Sequence, residues 1–386
     1  MRLLFALAWT WLLFLHGTAT ASDQAGPQPA WSLNVQAKLG LRAFQTQFGA
    51  AWRNQQDVLF LTPERVLLYQ VNQLREPARL AGRDSSGGAG NFSLEIRVLD
   101  VRNGQLLKTL ELPTSAGFSK IIPTHDGKMI VRAGDSLFLC TDEFQPMASR
   151  ALPIKGEAPI ETWQIGVLPS GRQLALVHQQ IKPSLLGPGQ TEGAWALTEI
   201  QILDADTFEL LKTFTVPHAL GSWSAGEGVL VTANPAPAGG APRFGFLSFE
   251  GNWTPLAIKD ETCPYKVNSF SQGEIAVYGC GKLAVLGAHG EKLFSSEMGG
   301  DSVGSVGLAG RYMAVERVRQ VRSTIPGTNF PVMVPKSDRL EVYDFTTSKK
   351  LFSLPVRGDN LYYEIAATGT LVVVDGLTAA LYRLEN

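Results

Sequence analysis

The sequence predicts an all-β chain of seven similar four-stranded sheets set in a ring. Three observations predict it. A glycine-centred hairpin recurs along the chain, an Asp-led turn between two strands follows it, and the two chain ends each hold part of one sheet. Composition agrees. Of 386 residues, 45% are hydrophobic and 18% charged, which excludes a disordered chain and supplies a large core. A formal net charge of -1 excludes nucleic-acid or acidic-membrane binding by bulk electrostatics.

The first pattern is a small or polar turn, a Gly, and then an apolar β-rich run. It appears around Gly127, Gly171, Gly226, Gly273, Gly310 and Gly369, with a Gly-less form at Asn54–Asp57 ahead of Val58–Leu61. Glycine between two β-runs signals a hairpin because it accepts the positive φ that other residues resist. Successive glycines lie 37 to 59 residues apart, and a four-stranded repeat of this kind takes roughly 40 to 50.

The second pattern joins two strands by a turn that starts at Asp100, Asp204 or Asp344, within Leu94–Leu112, Thr198–Val216 and Arg339–Val356. A leading Asp bonds backbone two residues on, which favours such turns. Degenerate copies occupy Leu137–Leu152 and Leu283–Phe294. The repeat is therefore strand, Gly hairpin, strand, connection, strand, Asp turn, strand, and seven copies can be counted. The last copy ends after Ala379–Arg383 without its fourth strand, and Trp31–Ala37 is a strand without a sheet. Pairing the two closes the ring and hides two sheet edges. Segments such as THDGKMIV, LPSGRQLALV and VLDVRNGQLLKTL resemble the WD40-like and YVTN-like β-propellers over most of the chain. The expected fold is thus a seven-bladed β-propeller closed by an N-terminal strand that completes the last blade.

Residues 1–21 read as a secretory signal peptide: Arg2, an apolar run from Leu3 to Leu15, and the small-residue end Ala19-Thr20-Ala21. The run is too short for the roughly 20 residues that span a bilayer. The expectation is a secreted or periplasmic protein, with residues 22–386 forming a single propeller domain and no integral membrane segment after cleavage. Export permits a disulfide among three cysteines. Cys263 and Cys280 flank a hairpin expected at Gln272-Gly273 and form the candidate pair, leaving Cys140 as a small buried residue.

Labelling the strands of each blade a to d outward, four insertions fall between b and c, at residues 72–92, 179–197, 233–243 and 318–338. All b–c connections of a propeller emerge on one face, so these loops form a candidate recognition surface. Arg79, Arg83, Trp195, Arg319, Arg322 and Lys336 are its candidate binding residues, since Arg and Trp are enriched at interaction hot spots. Alternatively, Arg317 and Arg319 form the solvated side of an extended strand, both facing outward. A protein or glycan partner suits this face. His178 and His218 are weak metal candidates on the same side, without matched carboxylates. The chain lacks G-x-S-x-G, H-E-x-x-H, P-loop and EF-hand spacings, so no catalytic residue and no cofactor is assigned. The alternative is an enzyme of lactonase or quinoprotein-dehydrogenase type acting at the central channel. The segments Ile160–Val167, Leu220–Ser224, Val267–Ser271 and Ser302–Leu308, read as inner strands, offer it Glu161 as their single acid. Asn91 and Asn252 fit the N-glycosylation spacing.

Overall fold

The computed structural model describes residues 27–44, 56–73, 92–114, 119–124, 126–152, 160–168, 171–182, 195–216, 219–220, 228–234, 244–248, 253–255, 266–270, 274–287, 291–299, 302–324, 331–358 and 361–384. The chain opens with β1 (Trp31–Asn34) and a short helix α1 (Val35–Leu39), capped by the Asn34 side chain on the Ala37 amide at 2.8 Å. It then winds antiparallel blades in which each strand pairs with the next in sequence. The first is β2 (Gln56–Thr62), β3 (Arg65–Gln73), β4 (Phe92–Asp100) and β5 (Leu106–Thr114). The second is β6 (Ser119–Pro123), β7 (Met129–Ala133), β8 (Ser136–Cys140) and β9 (Pro146–Ala151). The third is β10 (Ile160–Val167), β11 (Gln173–Lys182), β12 (Trp195–Asp204) and β13 (Leu210–Val216).

The next segment holds β14 (Ala219–Leu220), β15 (Gly228–Asn234), β16 (Phe244–Ser248) and β17 (Trp253–Pro255). Beyond it come β18 (Lys266–Ser269), β19 (Ile275–Gly279), β20 (Lys282–Leu286) and β21 (Lys292–Glu297), then β22 (Ser302–Ala309), β23 (Tyr312–Thr324), β24 (Pro331–Asp344) and β25 (Lys349–Pro355). The last blade takes β26 (Leu361–Ala366), β27 (Thr370–Asp375) and β28 (Thr378–Arg383).

The expected seven-bladed propeller is corrected here: the ring has six regular blades, and β14–β17 is a short, irregular sheet that does not make a seventh. In it β14 contributes two paired residues, on a ladder separate from the one that joins β15, β16 and β17. The physical reason lies in the sequence on either side. Gly221, Gly226 and Gly228, then Pro235, Pro237 and Pro242, remove side-chain packing and ladder donors where a full blade needs both.

Second strands are sandwiched between neighbouring blades, which is why they read as unbroken apolar runs. Val66–Tyr69, Met129–Val131, Leu174–Val177, Met313–Val315 and Leu371–Val374 are all buried. Outer strands alternate, as in β5 and β9, because one face meets water. The Asp turns form as expected: Asp100, Asp204 and Asp344 accept the amides of Arg102, Asp206 and Thr346 at 2.7, 2.9 and 3.1 Å. In each, the residue after the Asp is buried and its amide bonds the preceding hairpin turn (Val101 to Glu64, Ala205 to Arg172, Phe345 to Arg311).

The ring closes through β1, whose Trp31–Asn34 pair antiparallel with Leu381–Thr378 in a sheet ordered β1-β28-β27-β26. From there α1 and the following residues cross the wall between last and first blades. Leu41 and Phe44 are buried in a core shared with Val58, Val66, Val372 and Val374, and Phe44 meets Tyr362 edge-on at 5.3 Å. In the first blade Val58–Leu61 belongs to the innermost strand, not to the second as the Gly-less repeat had implied.

Candidate functional site

Two regions bring polar side chains together: the face of the b–c connections and the axial channel. On the first, the stretch read as a 318–338 loop is largely strand. β22 pairs with β23 as far as Val318, and β25 pairs with β24 from Arg339 on. Beyond those limits β23 and β24 pair only with each other, from Arg319↔Lys336 to Thr324↔Pro331, six cross-strand pairs in all. The blade thus continues outward as a two-stranded ribbon. Arg319, Gln320, Arg322 and Met333 are exposed on it, Met333 at 60%, and Lys336 is half-buried. Arg319 Nε lies 3.6 Å from the Asp338 carboxylate.

Arg317 and Arg319 do not share an environment, as even spacing required. Arg317 lies where β22 and β25 still flank the strand pair, 3% exposed and near Glu341, whereas Arg319 lies past their last pairs, in the ribbon, and is exposed. The register shift between Arg317 and Val318 puts its extra residue, Asp338, on β24 and leaves the alternation of β23 intact.

The other candidates separate. Trp195 starts β12 and pairs with Lys182 of β11. Arg79, Arg83, His218 and Cys263 lie outside the described residues, as do both sequons' asparagines. His178 is buried and stacked on Trp163, its cross-strand partner, with centroids 4.1 Å apart and planes 7° from parallel. That packing places the imidazole inside the blade. Among the described residues no three His, Cys, Asp or Glu side chains converge to hold a metal, and no helix is long and apolar enough to cross a membrane. Cys280 is disulfide-bonded and Cys140 is a buried free thiol. Cys280 occupies the two-residue turn between β19 and β20, with φ of 47°, rather than a strand.

The axial channel holds what inner-strand reading missed. A cavity of about 340 Å³ is lined by Asp57 of β2, Ser305–Leu308 of β22, Leu361–Ile365 of β26 and Phe270. Tyr363 Oη lies 3.0 Å from Ser305 Oγ, which donates to Glu316 at 2.6 Å. Gly307 makes this approach possible, since a Cβ there would sit 3.0 Å from the Tyr363 ring. Asp57 accepts the Val58 amide at 2.9 Å. Burial pushes its carboxyl up to about 6, with that amide and Lys120 opposing the rise. Glu364 is pushed up to about 8, by burial first and then by the charge of Asp57. Lys120, on β6, is shifted down by burial and by Arg132, while Asp57 opposes. The side chains of Glu364 and Lys120 nonetheless keep exposed surface, and Asp57 is half-buried.

Asp57 was read as part of a turn, and β26 was not counted among the inner strands, so Glu161 looked like the single axial acid. The signal was present in the parity of LYYEIA against TLVVVD: an acid inside the first strand of a blade faces the axis or a neighbouring blade.

No protein-family profile matches the sequence, and no curated protein does. Solved structures share the fold. Moraxella catarrhalis BamB is 11% identical over 84% of this chain and 80% of that one, with a TM-score of 0.38. The Neurospora crassa Pan2 WD40 domain is 7% identical over 92% and 83%, at 0.37. Pyrococcus horikoshii acylaminoacyl peptidase is 9% identical over 84% of this chain and 51% of its own, at 0.51, so this chain spans about half of that protein. At these identities the likeness concerns architecture alone. The chain is a β-propeller.

Proposed function

We propose that the protein is an exported, non-catalytic propeller that captures a protein partner through the face of its b–c connections. The β23–β24 ribbon carries this reading. A two-stranded hairpin is marginal in water by itself, and this one holds Met333 and two arginines out beyond the blade. Met and Arg are residue types enriched in protein interfaces. Pro331 and Pro335 remove donors from its β24 edge, which discourages strand addition and leaves side chains to make the contact. The signal-like sequence of residues 1–21 supports an encounter outside the cytoplasm, in the periplasm or beyond.

The test shortens the ribbon by joining Val318 to Ser337 through a two-residue turn. Cross-linking in the native host should lose its partner with the short form while the melting temperature holds. Unchanged capture by the short form overturns the reading. A lactonase or quinoprotein reading draws on the axial acids, and it requires turnover that tracks Asp57 or Glu364.

A further inference from the structure

We propose that the axial cavity is a second, separate binding site, for a small organic amine whose ammonium sits between Asp57 and Glu364 and whose hydrocarbon part lies against Tyr362, Tyr363 and Phe270. Three features of the cavity point to this class. Its volume of about 340 Å³ falls at the small end of ligand pockets, enough for a molecule of about ten heavy atoms. Its lining joins Phe270, Val306, Leu308, Tyr362 and Tyr363 to a few polar groups. Those few include two carboxylates on adjacent inner strands, an arrangement that attracts a cation and repels an anion. Among the described residues no three acidic, imidazole or thiol groups converge to hold a metal, so an ammonium suits the pair better than a bare metal ion.

The charge state of the pair gives the site a signature. At pH 7 Asp57 is mostly ionised and Glu364 mostly protonated, since their values are about 6 and about 8. An ammonium beside Glu364 favours its carboxylate, so binding expels a proton. Affinity therefore rises with pH between about 6 and 8 and flattens above. Among the described residues, the other titratable groups that act on this set are Lys120, Tyr69, Tyr278, Tyr363 and Glu316, with Arg132 acting on Lys120. Lys120, shifted down by burial, opposes the ligand in its charged form, and the tyrosines titrate above this window.

Calorimetric titration of the full chain with phenethylamine tests this, with phenylacetate and phenethyl alcohol as anionic and neutral controls. Phenethylamine is expected to bind at least tenfold tighter than either control. Repeating the titration at pH 7 in two buffers of different ionisation heat should show proton release. Glu364→Gln should abolish that release, and Asp57→Asn should weaken binding at least tenfold. The proposal is overturned if phenethylamine gives no binding, if the controls bind as well, or if wild-type binding releases no proton. The last measurement needs no variant, so a misfolded mutant leaves the test intact. The ribbon-shortened protein should bind phenethylamine as the full one does, which keeps this site's failure distinct from that of the capture face.

Discussion

Trp31 lays its indole across Gly104 and donates its Nε1–H to the carbonyl oxygen of Val101 at 2.8 Å. The contact joins the first strand of the described chain to the Asp turn of the first blade, and so ties the closing blade to its neighbour. Gly104 sits at φ of 71°, and a Cβ there would come within 2.9 Å of the ring. Both the backbone conformation and the stacking exclude a side chain.

Trp31→Phe should keep the stacking and leave the Val101 carbonyl without its donor, costing about 1–3 kcal/mol. Gly104→Ala should cost more than Trp31→Phe, because the strain and the displaced indole add. Urea unfolding monitored by circular dichroism ranks the two; equal stability of both variants and wild type would remove the latch.

The Asp turns should depend on their carboxylates. Amide and hydroxyl hydrogen bonds from Thr207 and Thr346 hold Asp204 and Asp344 below the usual carboxylate range, with the Thr207 amide the largest influence on the first and the Thr346 hydroxyl on the second. Lowered values mean a stabilisation present at neutral pH and lost as pH falls through the native values. Asp204→Ala should cost about 1 kcal/mol at pH 7 and little in acid, while Asp204→Asn, which can still accept the turn amides, should cost less. Thermal melts at pH 7 and pH 3 make the comparison.

The axial acids carry the opposite sign. Asp57 and Glu364 hold protons more tightly folded than unfolded, against ordinary values of 3.8 and 4.5. Their contribution is complete below those ordinary values and is lost as pH rises through about 6 and about 8. Glu364→Gln should therefore flatten the fall in melting temperature between pH 5 and pH 9. A fall as steep as in wild type would place the ionisation elsewhere.

Cys280 takes a left-handed conformation in a two-residue turn and is disulfide-bonded. Removing that crosslink with Cys280→Ser should destabilise by about 2–5 kcal/mol. Cys280→Gly should recover part of the loss by relieving the backbone, as denaturant titration under oxidising conditions would show.

Much of the fold was legible because it repeats. Asp100, Asp204 and Asp344 each begin the same turn, and each is followed by a buried residue bonded to the neighbouring hairpin. A periodic chemical signal survives divergence elsewhere in the blade. The count failed where that signal was weakest. Gly226 looked like another hairpin glycine, yet the Gly- and Pro-rich residues around it support only the short β14–β17 sheet. The environment of Arg317 was misjudged for a different reason: which neighbouring strands cover a residue is decided by pairing, and one strand's sequence does not show where β22 and β25 stop.

What the sequence determined by itself is local: strand periodicity, turn chemistry, and an unpaired strand at each end that could be matched only to the other. The tertiary structure decided which distant residues share a solvent. Asp57 and Glu364 are more than 300 positions apart and look ordinary in their own segments. Ring closure sets β2 beside β26, where desolvation and the charge of Asp57 together push the Glu364 carboxyl up.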